Sequence, residues 1–281
     1  MKTYIKSILL LFCLVLASCE DVIDVDVSEG KTRLVIEASL DWEKGTTGNQ
    51  QTIKLSQSSP YFQTNGNNVV TGASVKVTNN NTNAEYVFTD ENDGTYTISN
   101  FIPVINHSYT LEIIFNGETY IGTETLMSVP VINNITQSTE GGFDDEYLEV
   151  NIYYNDPANE ENFYLTKYQE EGDLFPLLED RSDEFVNGNE IYDFWEKSDD
   201  EDTNEKPFEA GDKISISLYG ISERYYNYIR LLIEQYSSGG DPFSSTAAQI
   251  KGNCVNKTKV DNYPYGYFRV TEVVKTSYTF Q

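Results

Sequence analysis

In Ser108-Tyr-Thr-Leu-Glu-Ile-Ile-Phe115 and in Thr119-Tyr-Ile-Gly-Thr-Glu-Thr125, apolar or aromatic side chains alternate with polar ones. A strand with one buried face requires that period of two. Between the runs stands Asn116-Gly117, and both residue types accept a positive φ, so the pair predicts a hairpin with a two-residue turn. Comparable runs precede it at residues 33–40, 51–56, 73–78 and 85–89. Asn/Gly-rich loops, Asn79-Asn-Asn-Thr-Asn and Asp90-Glu-Asn-Asp-Gly-Thr-Tyr separate them. Short strands with turn signals every ~8–12 residues read as a β-sandwich. This predicts an immunoglobulin-like β-sandwich over residues 31–128.

Beyond it, Met127-Ser-Val-Pro-Val-Ile-Asn reads as an extended connector, with Pro130 removing a backbone donor. Further strands are predicted at residues 147–154, 163–168, 213–219 and 266–274. Residues 196–206 are almost wholly charged and polar, and predict a solvated loop. One helix is expected near 222–236. Ser222 is a good N-cap, and Tyr225, Tyr228, Ile229, Leu232 and Ile233 recur at helical spacing until Ser237-Ser-Gly-Gly stops them. Its aromatic face is expected to pack on a sheet. The fold class is therefore mainly β: an N-terminal immunoglobulin-like sandwich followed by a second β-rich domain, 129–281, carrying one helix.

The 281 residues hold 19 basic and 45 acidic side chains, a net charge of −26. Such a surface repels nucleic acid and anionic lipid headgroups. The chain is nonetheless built to fold, with 14 Phe and 21 Tyr to bury. The sole histidine, His107, and the late cysteine, Cys254, are far apart in sequence, which disfavours a Cys–His dyad. Cys254 reads as a small buried hydrophobe. There is no His/Cys cluster for zinc, and no nucleophile elbow, P-loop or dinucleotide fingerprint. Asp90-Glu-Asn-Asp-Gly places Gly94 one position too early for an EF-hand loop and reads as a turn. The acidic tract from Asp199 to Asp202 is a solvated loop, with calcium binding as its alternative. Carboxylates are so abundant that no catalytic pair stands out. The expectation is no enzyme, no cofactor and no metal site.

The start of the chain carries an address. Lys2 and Lys6 precede an apolar run at residues 8–16, and Leu16-Ala-Ser-Cys19 follows. Charged, apolar and small-residue regions in that order form a signal peptide, residues 1–18. The run is far short of the ~20 residues of a spanning helix. Leu16-Ala-Ser-Cys19 resembles the bacterial lipobox, which implies cleavage before Cys19 and acylation of its sulfur and amino group. An ordinary signal peptide is the alternative. Two or more acyl chains hold a protein on a membrane where a single one is marginal. The acidic tether that follows, residues 19–30, partly resembles the surface-export signal of Bacteroidetes lipoproteins.

Several segments, taken in order, resemble a known family. They are the lipobox with its acidic tail, Arg33-Leu-Val-Ile-Glu, Ser58-Ser-Pro-Tyr-Phe, Val70-Thr-Gly-Ala-Ser-Val-Lys-Val, Asp93-Gly-Thr-Tyr and Tyr109-Thr-Leu-Glu-Ile. Asn155-Asp-Pro-Ala, Asn162-Phe-Tyr, the Tyr-rich helix, Asp241-Pro-Phe and Gly266-Tyr-Phe follow. Their order resembles the Bacteroidetes lipoprotein family called domain of unknown function 4249, over nearly the whole chain after the leader. Residues 244–253 depart from its proline-bearing version. The resemblance implies a cell-envelope lipoprotein, often encoded beside a TonB-dependent outer-membrane receptor, and supplies no catalytic residues. The functional expectation is a lipid-anchored, surface-facing outer-membrane protein that serves as a non-enzymatic accessory or binding subunit, with an adhesive cell-surface protein as the alternative. Nothing in the sequence fixes an oligomeric state.

Overall fold

The computed structural model describes residues 31–59, 68–158, 160–199, 205–237 and 249–281. The predicted leader, Cys19 and tether lie outside the described residues, as do most of Asp199–Asp202 and Asp241-Pro-Phe. The hairpin is where the sequence places it: strands β6 (Ser108–Phe115) and β7 (Glu118–Thr125) pair antiparallel, with Phe115 opposite Glu118. Asn116 and Gly117 turn the chain at φ of 51° and 75°, the doubly left-handed geometry that matches the twist of the flanking strands.

Ahead of the hairpin lie β1 (Leu34–Glu43), β2 (Gln51–Gln57), β3 (Ser74–Asn79), β4 (Ala84–Asp90) and β5 (Thr95–Ile98). After it come β8 (Ile132–Ser138), β9 (Glu149–Asn155), β10 (Phe163–Glu170), β11 (Leu177–Ser182), β12 (Glu190–Glu196) and β13 (Lys213–Ile221). The helix α1 (Glu223–Ser237), β14 (Val255–Asn256) and β15 (Tyr265–Thr279) complete the described elements. Twelve strands form one sheet in the order β11-β10-β13-β15-β1-β2-β5-β4-β3-β6-β7-β14, and β12-β9-β8 form a second. The protein is mainly β, as its sequence predicts.

The large sheet curls at the short β4–β5 pairing, so that β1, β2 and β5 share a core with β3, β6 and β7. Ile36, Ala38 and Leu40 of β1, Ile53 and Leu55 of β2, and Leu111 and Ile113 of β6 are all buried there. A second core lies between the small sheet and the other end of the large one. Val150, Ile152 and Tyr154 of β9 meet Tyr164 and Tyr168 of β10 and Ile214, Ile216 and Leu218 of β13.

One strand belongs to both cores. β15 pairs in parallel with β1 from Tyr265 to Val273, then antiparallel with β13 from Val273 to Thr279. Along one face of it, Phe268 and Val270 enter the first core, while Val274 and Tyr278 pack against the second. Between them sits buried Glu272, which accepts from Lys44 Nζ at 2.8 Å and from Val129 N at 3.0 Å, tying the connector to the strand. Gly122 of β7 lets β15 come close, because a Cβ there would stand 2.6 Å from Cys254 Sγ and 3.2 Å from Phe268 Cβ. Segments beyond residue 128 are thus part of the first half of the fold: β14 and β15 pair with β7 and β1, and Cys254, Phe268 and Val270 lie in the first core.

The helix starts as expected. Ser222 Oγ accepts from Tyr225 N at 3.1 Å, an N-cap bond. Tyr225 and Ile229 pack with Leu165, Tyr219, Ile221, Tyr267 and Val273 on the sheet face opposite the second core. Beneath them Arg269 lies between the rings of Tyr219 and Tyr225, at 4.7 and 5.0 Å, and its Nη2 bonds Asp41 at 2.7 Å.

Candidate binding surfaces

The sequence Glu190-Ile-Tyr-Asp-Phe-Trp-Glu196 makes β12 unusual, because an acid is among its inward residues and aromatics are among its outward ones. Ile191, Asp193 and Trp195 point inward, and Asp193 is sustained there by partners: Tyr154 Oη donates to it at 2.8 Å and Arg181 Nε at 2.8 Å. Burying a carboxylate requires such pairing. The outward side chains meet those of β9. Tyr153 lies 5.3 Å from Tyr192, which stacks on Phe194 at 5.8 Å; Phe143 stands edge-on to Phe194 at 5.2 Å and is 91% exposed. The result is an aromatic strip on the outside of the small sheet, anchored by a 2.8 Å bond from Tyr192 Oη to Asn151 Oδ1.

A second surface lies at the far end of β12. Lys197, read from the sequence as part of a solvated loop, is buried: Glu170 and Asp173 bind its ammonium, which also lies 5.3 Å from the Trp195 ring. Glu196 likewise belongs to the strand and not to the loop. An exposed charge run and a strand end with local ion partners have the same composition, so the sequence alone does not separate them. Trp195 and Lys197 line a groove of about 950 Å3. Its rim is Leu174, Phe175 and Tyr236, which are 87%, 75% and 84% exposed. Glu170, Asp173, Glu205, Glu209 and Asp212 line it as well, and both of its lysines, Lys197 and Lys206, are already ion-paired. The groove is apolar at the rim and acidic within.

Elsewhere, several polar or titratable residues among the described ones have local structural partners. Cys254 is buried and its thiol is pushed up to about 12 by burial, far from the reactive range. His107 Nδ1 lies 2.9 Å from Asn79 Nδ2 and 3.2 Å from its Oδ1, and the two side chains brace the turn after β3. Asp90 accepts from Asn92 N at 2.8 Å, a turn as expected. Asp199 pairs with Lys206 at 2.7 Å. Glu118 accepts from Tyr120, Asn256, Asn262 and Lys259, all within 2.9 Å, and hydrogen bonds led by Lys259 and Asn262 hold its carboxyl down to about 2. Among the described residues, no three or more His, Cys, Asp or Glu gather to hold a metal ion. No helix among them is long and apolar enough to cross a membrane.

These features define a β-rich protein whose described residues form two cores, a third buried cluster beneath the helix and two exposed aromatic surfaces. Residues 20–277 match the family described as "Domain of unknown function (DUF4249)", and the chain belongs to that family. No curated protein matches it. Among solved structures, a DUF4785 family protein from Legionella pneumophila is similar at 11% identity and a TM-score of 0.26. The match covers 68% of this chain and 53% of that one, so the chain spans about half of that protein's length. A likeness this low carries no argument about fold or function.

Proposed function

We propose that this protein is an outer-membrane lipoprotein, anchored through acylated Cys19 and facing the cell surface, where it serves as a non-enzymatic binding subunit. Its partner in this reading is a TonB-dependent receptor, and the first core is an immunoglobulin-like sandwich that carries the second as a docking head. The observation that carries the reading is the groove at the end of β12. Leu174 and Phe175 project from one loop at 87% and 75% exposure beside an acidic lining. Exposed apolar side chains rimmed by polar groups mark interaction sites. An acidic interior favours a polypeptide partner with basic and apolar side chains over an anionic nutrient.

The test is a pull-down of the tagged protein from gently solubilised outer membranes, beside Cys19→Ala and the double variant Leu174→Ser/Phe175→Ser. A TonB-dependent receptor recovered with the wild type, and lost or reduced at least ~10-fold with the loop variant, supports the reading; a 10-fold loss is ~1.4 kcal/mol. Loss with Cys19→Ala places the contact at the membrane. Recovery of abundant porins alone contradicts it and favours an adhesive role.

A further inference from the structure

The candidate lies on the outer face of the small sheet, at the end away from Asn155. There Glu149 of β9 and Glu196 of β12 stand directly opposite each other in register. Like charges at opposed positions of an antiparallel pair repel. Among the described residues, neither glutamate forms an ion pair with a lysine, arginine or histidine. Glu149 is fully buried. Its Oε1 is fixed by the Ser138 hydroxyl, by Gly141 N at 2.9 Å and by Asn151 Nδ2 at 3.4 Å. Its Oε2 is buried and has no hydrogen-bond partner.

That orphaned oxygen points to where the loop before β9 closes over the sheet. A Cβ placed on Gly142 would lie 3.0 Å from Glu149 Oε2 and 1.9 Å from Glu196 Oε2, so the two oxygens converge on the same backbone. Glu196 Oε2 accepts from Phe143 N at 2.9 Å and Asp144 N at 3.3 Å, which holds its carboxylate beneath the loop. An unpaired buried carboxylate is costly unless a counter-charge meets it.

We propose that Glu149 and Glu196 hold a calcium ion beneath the Gly141-Gly142 loop, with water completing its shell. The donor class selects the ion. Only oxygen ligands are at hand, which suits a hard cation such as Ca2+ and not zinc. Two carboxylates are few, which places the site with the weak sites of extracellular modules, at dissociation constants of about 10⁻⁴ to 10⁻³ M. The ion locks the loop that presents Phe143 to the aromatic strip. The tract from Asp199 to Asp202, weighed for calcium on its composition, is a separate segment.

The experiment uses the full-length protein purified in detergent. Terbium luminescence excited through tyrosine is followed as Ca2+ is titrated in, and thermal unfolding is recorded with Ca2+ and with chelator. Glu196→Gln, Glu149→Gln and the exposed control Glu171→Gln are compared. The expected result is a saturable terbium signal displaced by sub-millimolar to millimolar Ca2+, and a Tm that Ca2+ raises. Both effects should weaken at least ~10-fold in Glu196→Gln and Glu149→Gln and persist in Glu171→Gln. Glu196 is at the less buried edge, so its variant reports even if Glu149→Gln folds poorly. Absence of a saturable signal, or the same signal in Glu196→Gln, overturns the proposal. A Tm unmoved by Ca2+ but raised by Glu149→Gln also overturns it, and assigns a shared proton to the pair.

Discussion

Around the first core the inward side chains are mostly aliphatic or aromatic, among them Ile36, Leu40, Ile53, Val77, Leu111 and Ile113, and buried polar groups such as Gln51, Asn79, Glu118 and Glu124 are the minority. Around the second, the buried set includes Glu149, Asn151, Asp156, Asn162, Thr166, Asp183 and Asp193, interleaved with Tyr154, Tyr164 and Tyr168. The large exposed aromatics, Phe143, Phe175, Phe185 and Tyr236, also fall in the second region. Apolar burial is non-directional and tolerant of shape, so the first region suits a scaffold. Buried polar networks fix side chains in one arrangement and fail when a member is missing. A region built that way can hold a precise outer face, which is what an interaction surface requires.

That contrast can be broken by substitution. Phe268 is fully buried on the strand shared by both cores. Phe268→Ala should cost about 3–5 kcal/mol in denaturant unfolding, as large-to-small changes in packed cores do. A cost under ~1 kcal/mol would mean that β15 is not the common element. Asp193→Ala should cost less, about 1–3 kcal/mol, because it leaves the buried Tyr154 hydroxyl without its acceptor while half-exposed Arg181 turns to water. Asp193→Asn keeps an acceptor and should recover part of the loss; equal losses would show that the charge, not the hydrogen bond, matters.

The smallest effect is a pH effect. The carboxyl of Glu118 is held down to about 2, chiefly by Lys259 and Asn262. A group with a depressed folded-state value stabilises the fold above its unfolded value, about 4.3, and loses that contribution as pH falls toward 2. Wild-type Tm should therefore fall more steeply than that of Glu118→Gln between about pH 4.5 and 2. Parallel slopes would show that the network around Glu118 carries no net electrostatic stabilisation.

The same contrast explains what could be read in the sequence. The β6–β7 hairpin, strands β1 to β4 and the helix capped by Ser222 announce themselves because period, turn chemistry and burial agree. β5 lies inside a run of turn residues, and β8 reads as a connector behind Pro130. β12 is hard to read because Asp193 faces inward beside Ile191 and Trp195 while Tyr192 and Phe194 face out, which blurs the usual alternation. The pairing of Glu196 with Glu149 is equally hard to read, since in the sequence Glu196 opens a charged run. Long-range pairing was equally invisible. Nothing in Tyr265–Thr279 says that one strand serves two cores.

β15 joins the two cores into one cooperative unit, and the two tryptophans make that coupling measurable. Trp42 packs against the first core and Trp195 lies in the second. Trp195→Phe and Trp42→Phe each leave a single fluorophore reporting on one core during urea unfolding, with far-ultraviolet circular dichroism recorded alongside as the global signal. In each variant the remaining tryptophan should report the same midpoint as the circular dichroism, as a single two-state transition requires. If fluorescence and circular dichroism separate within a variant, the cores unfold independently and the shared strand does not couple them.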